Sequence, residues 1–517
     1  MAEKSFDQFA LRLHPTDNVA VAKRPVKAGT DLANGAVCIK TATAIPAGHK
    51  IALSAIADGA PIRRYGQIIG FARGSIAPGE HVHSHNVAVK DFGRDYQFCA
   101  EARPIDYYPD DQRRTFEGYA RPNGRAGTRN YLAVISSVNC SASVSNYVAE
   151  RFKGPDFNRE FPNVDGVIAI KHKSGCAMPL AEGHQLLQRV LAGIARHPNI
   201  SGYVMIGLGC EVNRVQLLAR DYKLDQPKPG ELAAEFITIQ SLGGVRKTVE
   251  AGAAAVTKLL PSANALRRTR QPLSKLILAE YCGGSDGNSG ITANPALGVA
   301  SDELVRHGGT SVMAETTEIY GAEHLLTRRS VSREVGEKLI ALIRWWEEHV
   351  RSFHATIDNN PSYGNKEGGL TTIYEKSLGA VAKGGQSPLA AVYQYAEEIR
   401  TPGFCFMDTP GFDPVSMTGL VSGGCNIGVF TTGRGSVYGC KPAPCIKVAT
   451  NTPLFQHLEE DMDINAGTIL DGTESVEQVG QRIFEKMISV ASGEKTKSEL
   501  AGIGDEEFAP WHLGPTL

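Results

Sequence analysis

Three of the chain's fourteen histidines fall within "GEHVHSHN", residues 79–86, at positions 81, 83 and 85. Neutral ring nitrogens are good ligands for iron and zinc, so imidazoles at this spacing point to a metal. The valines on either side suggest a strand end, where residues i and i+2 share a face. Two such side chains stand roughly 6–7 Å apart, at a rise of about 3.3 Å per residue. They can converge on one ion whose bonds to nitrogen are about 2.0–2.1 Å long. Three would span about 13 Å on a straight strand, too far for a single ion. His83 and His85 are therefore the expected ligands, with His81 outside. The competing reading is a solvated or ligand-contacting cluster without metal.

Other reactive side chains recur where apolar runs stop. Four runs finish in Cys140, Cys176, Cys210 and Cys282, and others in Glu211, Asp286, Glu315, Glu318, Asp408 or Arg434. A cysteine at such a place is ordinarily a small hydrophobe. Thiolates also bind iron and zinc, so these four are the alternative metal ligands. The chain has no C-x-x-C pair, so spacing alone assigns neither a cluster nor a structural zinc. "YCGGSDGNSGITANP" (281–295) offers Ser285, Asp286 and Asn294 among glycines. That composition suits a polyhydroxylated ligand, the bland reading being a glycine-rich turn. "TTGRGSVYG" (431–439) has the spacing G-x-G-x-x-x-G and no evident acidic ribose partner, which argues against NAD. Arg434 between glycines reads instead as a fork for a carboxylate. Lys366 in "GNKEGG" is presented the same way, or is merely solvated.

The elements that must position these groups fall into three regions. Residues 12–90 alternate apolar and polar, with a glycine or proline every eight to ten positions, as in a small all-β domain. Residues 91–115 are polar, proline-dotted and without period, a linker. Beyond it, apolar runs such as "NYLAVISSVNC" and "DGVIAIKHKSGC" recur about every 35 residues with helical stretches between, the signature of βα units on parallel sheets. The polar "ALRRTRQPLSK" (265–275) divides this part into two α/β domains, 116–270 and 271–517, making a multidomain α/β chain. At 517 residues, several domains are expected. Lys plus Arg number 54 against 55 Asp plus Glu, so no basic field exists to hold nucleic acid or an anionic membrane. No apolar stretch approaches the ~20 residues of a membrane span. The charged N-terminus does not read as a secretory signal, so the ten cysteines are expected to be reduced, in the cytoplasm.

"GEHVHSHN", "NGRAGTRN", "GLGCE", "CGGSDGNSGITANPALG", "PSYGNKEGGL", "EKSLG", "FTTGRGSVYG" and "DINAGT" together resemble the altronate and galactarate dehydratase family. The likeness runs over nearly the whole chain. "GEHVHSHN" is closer to the altronate branch and "DMDINAGTI" to the galactarate branch. The resemblance implies an N-terminal SAF domain of β-clip type. It also implies loss of water from a hexonate or hexarate to give a 2-keto-3-deoxy acid, with Fe2+ (or Mn2+ or another divalent ion) and no NAD. The expected partners are a small-molecule sugar acid and a second copy of the chain in a homodimer. Within that chemistry a base must take the proton at carbon 2, and fixed cations must hold the developing enediolate. His172, beside Cys176, is the preferred base, with Glu315 and Asp286 as alternatives for base and acid. Arg434 and Lys366 are expected to grip the substrate carboxylate, helped by Ser285 and Asn294. Three other readings stay open: a related sulfolactate-type sulfo-lyase, an NAD-dependent sugar-acid dehydrogenase, and a non-catalytic sugar-acid binder.

Overall fold

A computed structural model describes residues 4–34, 37–514 and 516. The N-terminal region is all-β, as its alternation predicts. Strands Ala10–Leu11, Val19–Ala22, Lys50–Ala52 and His81–Val82 form one antiparallel sheet in that order. The hairpin Pro61–Arg64/Gln67–Ala72 turns through Tyr65 and Gly66, both at positive φ, the backbone that two-residue hairpins prefer. One set of alternating apolar residues, including Phe6, Leu32, Ile39 and Ile51, makes a core of its own. Another, including Ile62, Ile69, Ile76 and Val82, packs against Leu339, Ile343 and Phe404 far along the chain.

Strand Thr115–Ala120 pairs antiparallel with Thr269–Pro272, so the chain enters and leaves the second domain through one ribbon. Inside lies a parallel sheet ordered Gly166–Ile170, Tyr131–Ser136, Ile200–Gly207, Glu235–Thr238. Its strands read as continuous apolar runs because helices cover both faces. Leu132, Val134 and Ile206 meet helices Asn139–Glu150 and Val245–Ala265. Ala133, Ile135 and Met205 meet helix Glu182–Ala195 and, beyond it, the third domain. That domain is built on seven parallel strands, ordered Leu389–Tyr393, Gly403–Met407, Thr310–Met313, Ile277–Cys282, Ile427–Thr432, Cys445–Ala449, Ile464–Asn465.

Two segments differ from their sequence reading. Residues 91–115 are irregular apart from a turn at Asp110–Gln112, but they are strapped down rather than free. Arg94 and Tyr96 both reach Glu323 at 2.6 Å, and Tyr108 donates to Glu303 at 2.8 Å. The loop "NNPSYGNKEGGL" contains a short helix, Tyr363–Glu367, started by a reciprocal cap between Ser362 and Asn365. Among the described residues, no helix is long and apolar enough to cross a membrane.

Candidate active site

In open parallel sheets the ligand crevice lies beyond the carboxyl ends of the strands. At that end of the seven-stranded sheet several glycine loops meet. The amides of Gly433 and Arg434 donate to the Gly284 carbonyl at 3.0 and 2.7 Å, and Gly287 N donates to Gly368 O at 2.8 Å. The N-terminal domain inserts a turn here. A Cβ on Gly369 would lie 2.3 Å from the Gly48 carbonyl oxygen, so this approach requires glycine. A Cβ on Gly368 would lie 3.0 Å from both Arg434 Cδ and Asp286 Cβ, which puts those two side chains beside the same loop.

The inserted turn carries His49. Ile51 pairs with His81 and Lys50 with Val82, so the antiparallel register sets His49 opposite His83. Ligand atoms of His49, His81 and His83 all lie within 4.8 Å of one another. His49 Nδ1 is 3.0 Å from His81 Nε2, while His49 Nε2 lies 3.0 Å from the Glu367 carbonyl oxygen. A proton on Nε2 shared with that carbonyl leaves Nδ1 bare, the state a metal ligand needs. Burial pushes His81 to about 4 and His83 to about 3, and lowers His49 as well, so all three are neutral at physiological pH. His83 Nδ1 is buried without a partner.

The ligand pair expected from sequence is thus corrected. The strand ends at Val82, and residues 83–86 form a turn in which His83 N donates to the Asn86 side chain at 2.8 Å. The turn breaks the i, i+2 face and throws His85 out to solvent. His81, set aside from the spacing argument, takes its place. His49 is the imidazole of this group that sequence reasoning missed. Its signal is a repeated turn: "PAGHK" and "PGEHV" set His49 and His81 at nearly the same offset from a glycine.

A second cluster lies at the ends of Ile277–Cys282 and Thr310–Met313. Cys282, Glu315, Glu318, Lys376 and Lys383 are all buried. Lys383 Nζ lies 3.1 Å from Cys282 Sγ and 3.2 Å from Glu315 Oε2. Lys376 Nζ lies 2.6 Å from Glu318 Oε1, which also accepts from Asn360 at 2.8 Å. Two ammonium groups therefore stand where a cation would otherwise be needed. Burial, reinforced by the neighbouring Glu318, pushes the Glu315 carboxyl up to about 8. Burial works against the charge on Lys383, but Cys282, Glu315 and Glu318 around it hold it protonated. Burial also raises Asp413, nearby, to about 7, with Glu318 adding to it. Glu315 sits at φ 71°, a left-handed backbone uncommon outside glycine, and its Oε1 has no partner. Lys383 and Asp413 carry no sequence motif that marks them, while Lys376 lies in "EKSLG" without being singled out.

The remaining expected residues divide. Asp286 is buried and accepts from Ser289, Asn288, Thr450 and Asn451, so it organises its loop. Burial raises its carboxyl. Ser285 is buried with its hydroxyl unpartnered. Asn294 is committed to the fold: its amide donates to Gly379 O at 2.9 Å and accepts from Thr431 at 2.6 Å. Arg434 is exposed, 3.4 Å from Glu367, and Lys366 is half-buried on the short helix. His172 lies in the second domain with both ring nitrogens taken by backbone, Ser136 O at 2.9 Å and Ser174 N at 3.2 Å. Burial lowers it to about 4. A buried ring held from both sides has no nitrogen left to take a substrate proton, which corrects its reading as the base. Cys140, Cys176 and Cys210 are exposed at the second domain's sheet, whereas Cys282 is buried in the Glu–Lys cluster.

An all-β cap whose histidines reach the Glu367–Gly369 loop, over a parallel α/β sheet that holds a buried acid–base cluster at its strand ends, defines a multidomain α/β enzyme. The chain belongs to the altronate/galactarate dehydratase family, a family of hydro-lyases. Residues 8–90 match its SAF domain, 118–264 the second domain of D-galactarate dehydratase/altronate hydrolase, and 273–516 the D-galactarate/altronate dehydratase C-terminal domain. The chain is 37% identical to an altronate dehydratase of Bacillus subtilis, over 98% of this chain and 99% of that protein. It is 38% identical to the L-threo-forming galactarate dehydratase of Escherichia coli, over 96% of each. The beta subunit of a (2R)-sulfolactate sulfo-lyase from Chromohalobacter salexigens is 30% identical over 76% of this chain and 96% of that subunit.

Proposed function

We propose that the chain dehydrates a hexonate or hexarate to the 2-keto-3-deoxy acid, with altronate the first candidate and galactarate the second. The observation that carries this is a pair of features on one domain: a cradle of three neutral imidazoles against the Glu367 loop, and a buried Glu–Lys cluster at the strand ends of the seven-stranded sheet. The imidazoles fit a divalent transition metal, since their burial keeps them unprotonated and His83 Nδ1 has no other partner. His49, His81 and His83 are the residues that would hold Fe2+, which would supply Lewis acidity at this end of the site. The chain's own residues supply the rest. Glu315, through its unpartnered Oε1, takes the proton from carbon 2 and can return it to the 3-hydroxyl as the carbon 3–oxygen bond breaks, so that water leaves and the enol that remains ketonises to the 2-keto acid. The Lys383 and Lys376 ammonium groups hold the negative charge that develops, in a site that excludes water. Arg434 and Lys366 bind carboxylate, and the Ser285 hydroxyl is free to bond a substrate hydroxyl.

The test is an anaerobic assay with ferrous iron across hexonates and hexarates, scored for 2-keto-3-deoxy product. Turnover of altronate or galactarate without nicotinamide is expected. Unchanged substrates throughout would sink the reading. The sulfo-lyase relative motivates one more substrate, (2R)-sulfolactate, whose release of sulfite in preference to dehydration would replace it.

A further inference from the structure

The active site leaves three reactive groups unused. Of the free cysteines, Cys38, Cys140, Cys176 and Cys210 are exposed. Three of these four follow adjacent parallel strands of the second domain, Tyr131–Ser136, Gly166–Ile170 and Ile200–Gly207. Exposed thiols are uncommon, because cysteine is among the most buried residue types. Three at one sheet end need a reason.

The loops that carry them are tied together. Asn139 N donates to Ser174 O at 3.0 Å, and Asn213 N to Gly175 O at 3.0 Å. The Asn213 side chain donates to Ser137 O at 2.9 Å, and Ser137 Oγ donates to Glu211 at 3.0 Å. Each cysteine is therefore within three residues of a bond that joins its loop to another. Adjacent strands are about 4.8 Å apart, so three strands span about 10 Å. His172 braces the arrangement, bonding Ser136 O on one loop and Ser174 N on the next. Ala177, next to Cys176, sits at φ 50° without being glycine, a backbone kept only where its surroundings impose it. Asn213 is fully buried and leaves its side-chain oxygen unpartnered. Cys140 is the second residue of the twelve-residue helix Asn139–Glu150, so its position is set by that helix start.

Spacing decides what three such thiolates would hold. On one zinc or iron ion, sulfurs with bonds of about 2.3 Å would be under about 4 Å apart. Among the described residues, only His49/His81/His83 and Cys282/Glu315/Glu318 bring three ligand atoms within 4.8 Å of one another. The three thiols are spread wider than one ion takes, and a cluster in which each sulfur binds its own iron spans the larger gap. We propose that Cys140, Cys176 and Cys210 bind an iron–sulfur cluster of the four-iron, four-sulfide class, with one iron lacking a protein thiolate. Each thiol loses its proton as its sulfur–iron bond forms. A preformed cluster needs no electron transfer to bind. This site is separate from the three-histidine cradle and does not depend on the reaction proposed there.

The test reconstitutes the full chain anaerobically with sulfide and equal amounts of ferrous and ferric iron, which match the oxidation level of a cluster holding two of each. Iron, acid-labile sulfide and the Mössbauer spectrum are then measured. About four sulfides per chain are expected, with one iron subsite distinct from the other three. Cys140→Ser, Cys176→Ser and Cys210→Ser should each bind at least about tenfold less sulfide, while Cys38→Ser and His83→Ala bind as much as wild type. Iron without sulfide, sulfide retained in all three variants, or equal loss in Cys38→Ser overturns the proposal. Should a variant fail to fold, the wild-type sulfide content and iron subsites still decide it.

Discussion

At the scale of single residues, the site rests on what burial does to ionisable groups. Glu315 works as a base only when ionised, and burial sets its carboxyl at about 8. Its active fraction therefore rises about tenfold per unit as pH climbs toward 8, and levels off above. The kcat profile should show that rising limb, and a flat rate from pH 6 to 9 would remove Glu315 from the role. Glu315→Gln should cost about 10²- to 10⁴-fold in kcat. The metal cradle gives a sharper contrast. His49→Ala, His81→Ala and His83→Ala should each lose stoichiometric ferrous iron and turnover, whereas the exposed His85 can be replaced without loss of either. Iron analysis of the four proteins beside wild type checks this, and loss of iron in His83→Ala and His85→Ala but not in His49→Ala or His81→Ala would return the ligand set to the sequence reading. Arg434→Lys keeps the charge but loses the two-pronged donor, so KM should rise by about tenfold or more. Steady-state kinetics on the accepted sugar acid decide it.

At the scale of elements, one buried network joins the cap to the catalytic sheet. Lys50 and Arg64, on two strands of the N-terminal domain, both reach Glu375 on helix Ile373–Ala380, at 2.9 and 2.5 Å. Lys50 also donates to Gly369 O at 2.6 Å and Arg64 to Gly287 O at 2.6 Å, so the pair fixes the loops beside His49. Burial opposes the Glu375 charge, but Lys50 and Arg64 prevail and hold its carboxyl at about 2. A folded value below the unfolded one means stability present above pH ~4.5 and lost as pH falls toward 2. Glu375→Gln should remove that acid sensitivity and weaken docking of the cap by about 3–5 kcal/mol, since two buried cations lose their partner. Unfolding midpoints across pH 3–7 test both parts. The network itself is not legible in the sequence: Glu375 falls in "EKSLG", but Lys50 and Arg64 lie in unrelated segments and look like ordinary surface charges. What is legible is periodic: the alternation of residues 12–90, and apolar runs such as "LAVI" and "VIAI" that require a sheet covered on both faces. Motifs rich in glycine also show through, since close approach leaves a mark on composition. Lys50 and Lys383 do not, and His49 shows only in its repeated turn, because register and helix packing, not local pattern, bring them to the site.

At the scale of the whole molecule, the architecture is a cap, an inserted domain and a catalytic sheet, and the active site exists only when the first meets the last. The two subunits of the Chromohalobacter salexigens sulfo-lyase match 76% and 9% of this chain, so related sequence also occurs as separate polypeptides. The chain's own packing indicates how a divided form would hold together. The cap has one core of its own, around Phe6, Leu32 and Ile51. It shares a second with the catalytic domain, where Ile62, Ile69 and Val82 meet Leu339, Ile343 and Phe404. Cut after residue 90, the larger fragment would expose that apolar face and carry none of the three histidines. Expressed alone, residues 91–517 should therefore be inactive and prone to self-association. Expressed together with residues 1–90, they should copurify and recover turnover, since the apolar face, the Glu375 network and the His49–Glu367 contact all re-form without the covalent link. Residual activity of residues 91–517 by themselves would show that the reaction does not need the imidazoles. Copurification without activity would show instead that the strapped segment from residue 91 onward must stay joined to the cap for the histidines to seat.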